Sequence, residues 1–172
     1  MEHEHCGSCG FDGSEFDPDR LLAALHELGP NWDDLLSRAG SLLRERPAPG
    51  TWSAIEYAAH SRDITVLHLW GVEQALGGGE PIIPAVDDDL IESAAANYGD
   101  EDPRSVVVAL ADAANRMADL AADAGQLAWD RGITIGTSRN TVRRLLEHAL
   151  HDSRHHVADV ANGLTDLRGR PD

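Results

Sequence analysis

The stretch EHALHDSRHHVADV, residues 147–160, places four histidines and two aspartates in fourteen positions. Neutral imidazole and ionised carboxylate are the donors of catalytic divalent-metal sites. At the other end of the chain, HEHCGSCGFD carries the only two cysteines, Cys6 and Cys9. A Cys-x-x-Cys spacing supplies half of a tetrahedral zinc site or, alternatively, a redox pair. A redox pair usually opens a helix after a strand, and no strand signal precedes this one, so the spacing reads as a metal half-site.

Helical geometry sorts the histidines into two sets. With residue 148 at zero and about 100° per residue, the apolar positions Val142, Leu146, Ala149, Val157, Val160 and Leu164 cluster near about 130°. Asp152 and His156 fall near about 40° and 80°, at the edge of that stripe, whereas His148, His151 and His155 fall between about −60° and 0°. Asp152 and His156, four residues apart, therefore converge at the border of the interior. His60, in EYAAHSRDI, shares a strip with Ile64, Leu67 and Gly71 and supplies a third inward donor. His68 lies about 80° round the same helix and is the weaker choice. A His60, Asp152, His156 set leaves coordination positions open for water or substrate. Zinc, nickel, manganese and iron all suit it.

The outer pair His151 and His155 has the i, i+4 spacing that a second zinc half-site requires. The expected structural zinc site is Cys6, Cys9, His151 and His155, pinning the N-terminal segment to a helix. Zinc is the expected ion there because thiolates select it. Two alternatives stay open: His3 and His5 complete the site locally or between chains, or the cysteines hold no metal. His148 can also stand in for one of the outer pair.

These groups need helices to position them. Asp17-Pro18 starts the first, which Gly29-Pro30 breaks or kinks. SAIE, residues 53–56, is a capping box opening a long helix that ends at GGG, residues 77–79. A short helix is expected over 88–97. Asp102-Pro103 starts another that closes at Gly125. The last long helix follows a loop at 126–140 and is expected to stop at Gly163. GITIGT offers one short extended piece. The fold class is all-α: an extension (1–16), an antiparallel four-helix bundle (17–165) and a polar tail (166–172). Trp32, Trp52, Trp70 and Trp129 are expected as core and loop anchors.

The chain has 172 residues, enough for one domain, and a formal charge of −16 from 30 acidic and 14 basic residues. Its one sparse basic cluster, Arg139, Arg143 and Arg144 with Arg154 beyond, does not offset that field against a phosphate backbone. No nucleic-acid partner is expected. With no long apolar run and no signal-peptide pattern, no membrane partner is expected either, and the cytoplasm is the expected location.

TWSAIEYAAHSRDI resembles the Trp-Ser-x-x-Glu-x-x-x-His-x-x-Asp stretch of the DinB-like superfamily, which includes the N-terminal domain of mycothiol-dependent maleylpyruvate isomerases. HALHDSRHHVADV resembles that superfamily's last-helix motif. The resemblance spans about residues 18–165. It implies a DinB-like bundle with a metal held by His60 and by two ligands from the last helix. Asp152, His156, Asp159 and Val160 stand in the isomerase register, with Asp152 where that branch has Glu and many relatives have His. Asp is one methylene shorter, which implies a shifted ion or an intervening water. The resemblance also implies a thiol S-transferase or isomerase, with a metal-bound low-molecular-weight thiol attacking an electrophile. It places no thiol-binding residues. Two other classes remain: a non-catalytic metal-stabilised binding or stress-response module, and a helical protein that forms a homodimer through its long helices.

Overall fold

The computed structural model describes residues 3–85 and 95–170. Asp17 accepts from the Arg20 amide and Pro18 fixes the first turn, so α1 runs Pro18–His26. The break falls at Glu27 rather than at Gly29-Pro30, and α2 runs Leu28–Ala39. Pro30 sits in the first turn of α2, where its missing N–H has no intrahelical partner to lose. Together α1 and α2 form one bent arm of a four-helix bundle.

The second arm, α3 (Ala54–Gly77), opens on the capping box read from SAIE. Glu56 accepts from the Ser53 amide at 2.8 Å and from its hydroxyl at 2.7 Å, and Arg46 pairs with it from outside. Burial alone would raise the Glu56 carboxyl, but Arg46 and Ser53 outweigh it and hold the group below its ordinary range. A depressed folded value stabilises above the unfolded value of 4.5, and that stability fades as pH falls through the folded one. Glu56→Gln is therefore expected to cost about 1–2 kcal/mol at pH 7. The gap between the two urea midpoints should shrink as pH drops below 4.5. An unchanged gap at pH 3 would show that the charge contributes nothing.

The third arm, α4 (Pro103–Ala124), is capped by Asp102 and ends at Gly125. The fourth, α5 (Val142–Arg168), starts at the Thr141 cap and continues through Gly163. Gly163 does not stop the helix because its bare Cα is a contact point: a Cβ there would stand 3.0 Å from Pro47 Cγ. Leu164 and Leu167 bury beyond it, so α5 reaches into the stretch expected as a polar tail. In the bundle, α3 packs against α4 and α5. Leu21, Leu25, Trp32, Ile55, Leu110 and Leu146 are each wholly buried between the arms.

The two long connections are less loop-like than their composition implies. Strand β1 (Ile82–Ile83) pairs in parallel with β2 (Gly132–Ile135), which pairs antiparallel with β3 (Ser138–Thr141). GITIGT is thus the central strand of a small sheet. The helix expected over 88–97 falls mostly on residues outside those described. Trp32 and Trp129 are buried anchors, donating to Ser153 Oγ and Ala121 O, whereas Trp70 is exposed. No helix among the described residues is long and apolar enough to cross a membrane.

The N-terminal segment is packed, not free. Phe11 and Phe16, the chain's only phenylalanines, are buried and stacked at 5.5 Å between ring centres. Beneath them, Glu147 of α5 is completely buried and takes bonds from Arg143, from the Glu4 amide (2.8 Å) and from His3 Nδ1 (2.8 Å). Arg143 also donates to the carbonyls of Gly13 and Phe16. Gly13 crosses so close to Glu147 that a Cβ would meet its Oε2 at 2.4 Å.

Candidate metal centre

The long helix α3 carries His60 two turns past its capped start, and α5 carries Asp152 and His156 one turn apart. Packing of α3 on α5 brings one donor atom from each to within 4.8 Å of the others. His60 Nε2 lies 3.9 Å and His156 Nε2 3.5 Å from Asp152 Oδ1. Ligands of one tetrahedral ion at about 2.0–2.2 Å stand roughly 3.3–3.5 Å apart, so only a small contraction is needed. All three side chains are largely buried at the bundle edge.

The surroundings prepare these groups for an ion. Asp152 Oδ2 is buried and has no hydrogen-bond partner, a costly state for a carboxylate oxygen unless something else engages it. Burial would raise the Asp152 carboxyl, but His156 and His60 outweigh it and hold it ionised well into acid. Burial pushes the His60 imidazole down, leaving it neutral with a free lone pair near pH 7. Burial would also lower His156, yet the Asp152 and Asp159 carboxylates win and raise it. His156 Nδ1 stands 3.0 Å from Asp159 Oδ2, which orients the ring and leaves Nε2 for a ligand. This donor set fits a divalent ion with open positions.

Aromatic rings wall the site. Trp52 lies 5.1 Å from the His60 ring and Tyr57 lies 5.0 Å from that of His156. Burial and the nearby Asp159 and Glu56 carboxylates raise the Tyr57 phenol, so it stays protonated. His68 is not part of the group. It bonds the Ile64 carbonyl at 2.7 Å and stacks on His148 at 5.0 Å, and burial with His148 nearby pushes it down to about 4.

A sequence model of the DinB superfamily matches residues 15–160. The chain belongs to the DinB superfamily. Its fold is also that of a solved four-helix bundle: YfiT from Bacillus subtilis superposes with a TM-score of 0.78 at 18% identity, over 90% of this chain and 89% of that one. YfiT is described as a probable metal-dependent hydrolase with an unusual four-helix bundle topology. No curated protein matches the chain. The superfamily match begins after both cysteines, so Cys6 and Cys9 lie outside the matched residues.

His151 and His155 are not on an open surface, because the N-terminal segment lies across them. Cys6, Cys9, His151 and His155 offer donor atoms within 4.8 Å of one another. His148 is drawn elsewhere, to Glu4 at 3.3 Å, and His3 and His5 pair with Glu147 and Asp12 instead of approaching the sulfurs. Glu4, His148 and His151 form a further cluster of the same size that sequence reasoning missed. The basic cluster is spent internally: Arg143 on Glu147 and Arg144 on Glu4. Trp52 and Tyr57 were also missed as site walls. Their signal was the Trp-Ser-x-x-Glu-Tyr context itself, which puts Tyr57 three residues before His60 and Trp52 just ahead of the same helix's cap.

Proposed function

We propose that this DinB-superfamily chain is a metal-dependent enzyme that holds a divalent ion at His60, Asp152 and His156 and activates a low-molecular-weight thiol for transfer to an electrophile. The observation that carries the reading is the convergence of three donors, both histidines facing Asp152 Oδ1, on a carboxylate whose other oxygen is buried and unpartnered. The ion would supply Lewis acidity, lowering the pKa of a bound thiol so that it presents thiolate at neutral pH. Nickel, manganese and iron suit the same donors as zinc does.

The chain's own groups have separable tasks. His60 binds as the neutral imidazole that its burial already favours. His156 binds through Nε2, and Asp159 keeps its Nδ1 side oriented. Asp152 brings the single negative charge to the set. Trp52 and Tyr57 exclude water from the ring faces, and the protonated Tyr57 can donate a hydrogen bond but not act as a base.

A second reading, metal-dependent hydrolysis, is favoured by the description of YfiT, where activated water would replace the thiol. One assay separates them. The metal-loaded chain is given a chromogenic electrophile such as chlorodinitrobenzene with a panel of small thiols, and a nitrophenyl ester without thiol. Thiol-saturable consumption, lost on chelation and regained on adding metal, is the expected result. Metal-dependent ester hydrolysis alone would favour the hydrolase. Metal binding with neither activity would leave the non-catalytic binding module.

A further inference from the structure

The hairpin that carries the cysteines is built to face α5. His5 bridges to Asp12 across it, the Cys6 amide donates to Phe11 O at 3.0 Å, and the Gly10 amide closes the tip onto Cys6 O at 2.9 Å. The loop thereby turns both sulfurs toward one helix. On that helix, His151 and His155 are one turn apart and face the loop. Cys6 Sγ lies 3.8 Å from His155 Nδ1. Sulfur and nitrogen bound to one tetrahedral zinc at about 2.3 and 2.0–2.1 Å stand roughly 3.5–3.6 Å apart, so the pair is already near that spacing.

A second observation points to a ligand. Both ring nitrogens of His151 are buried and neither makes a hydrogen bond. Its Nδ1 stands 3.0 Å from Glu4 Oε1 without the direction of a bond, which leaves Nε2 free for an ion. Phe11 stacks on the ring at 5.2 Å and fixes its plane. His155 is arranged likewise, Nδ1 toward Cys6 and Nε2 3.7 Å from Asp159 Oδ2. A histidine with one nitrogen on the cluster and the other on a carboxylate is the usual support of a zinc ligand.

From these contacts we propose that Cys6, Cys9, His151 and His155 form a structural zinc site, separate from the superfamily's inner site, that staples the N-terminal segment across α5. A closed Cys2His2 set leaves no open position, so this ion holds structure and does no chemistry. A Cys6–Cys9 disulfide accounts for the sulfurs but leaves the buried His151 nitrogens without a partner. A local site is disfavoured because His3 and His5 are engaged by Glu147 and Asp12. The same Asp159 oxygen faces His155 and His156, so one carboxylate supports a ligand of each candidate centre.

The test is cobalt substitution in the reduced full chain. Co2+ is expected to give sulfur-to-cobalt charge transfer with intense tetrahedral bands, independent of protein dilution. Cys6→Ser and Cys9→Ser should each reduce the charge-transfer absorption. His151→Gln and His155→Gln should each lower zinc affinity by more than about 100-fold in chelator competition. His60→Ala, His3→Gln and His5→Gln should leave the spectrum intact. Survival of the spectrum and affinity in the His151→Gln, His155→Gln double variant would overturn the proposal, as would a folded, reduced parent without a thiolate–cobalt band. Should the cysteine variants fail to fold, mercurial titration of the parent decides. One zinc released per two thiols supports the site, and none released overturns it.

Discussion

His60→Ala is expected to empty the inner site while leaving the bundle folded. The imidazole is one of three donors and the only one from α3, so its loss leaves two ligands on a single helix turn. Loss of an outer-shell partner alone costs about 10–100-fold in metal affinity, and loss of a ligand should cost more. The readout is thermal stability with and without added metal. At a concentration 100 times its Kd, an ion bound only by the folded state stabilises it by about 2.7 kcal/mol, and with the cysteine site already filled by zinc this further gain should vanish in His60→Ala. Apo stability should change much less, because the ring sits at the bundle edge and not in its centre. The proposed thiol-dependent turnover should vanish with the ion. A variant that keeps its metal-induced stabilisation would remove His60 from the ligand set.

Glu147→Ala should produce the largest loss of apo stability. The carboxylate is completely buried, and its Arg143 partner is nearly so. Removing one member of a buried pair leaves the other charge uncompensated and costs about 3–5 kcal/mol. Here it also takes away the acceptor for the Glu4 amide and for His3. Urea unfolding at pH 7 measures the cost. Limited proteolysis should then cut before Phe16 in the variant and not in the parent. A loss below about 1 kcal/mol would mean that the carboxylate behaves as a solvated surface pair.

The convergence of His60, Asp152 and His156 was legible because it obeys the helical period. Asp152 and His156 lie at the edge of the α5 apolar stripe, and His60 shares a strip with Ile64 and Leu67, so face-sorting alone brings the donors together. The caps at Asp17, Ser53 and Asp102 were legible for a similarly local reason, since each completes its bond within three residues. Glu147 was not legible, because a glutamate on the polar side of a helix is ordinarily solvated. It becomes buried only when a segment more than 140 positions away lies over it. Gly-rich composition hid that segment's packing, although both phenylalanines sit in it. The sheet eluded periodicity for the same reason, since two- and four-residue strands carry no repeat to read. Gly163 misled because glycine ends helices by its backbone freedom, whereas here it serves a close contact with Pro47.

The contact between the cysteine hairpin and α5 has a consequence during synthesis. Cys6 and His155 are 149 positions apart in the chain. At about 5–20 residues per second, the sulfurs leave the ribosome roughly 7–30 s before the helix that is to receive them. Throughout that interval the two thiols have no helix to lie against and neither His151 nor His155 to share an ion with. Reducing conditions during translation would then govern how much newly made chain reaches the stapled form, and chain made under oxidant stress should accumulate with its first segment unattached.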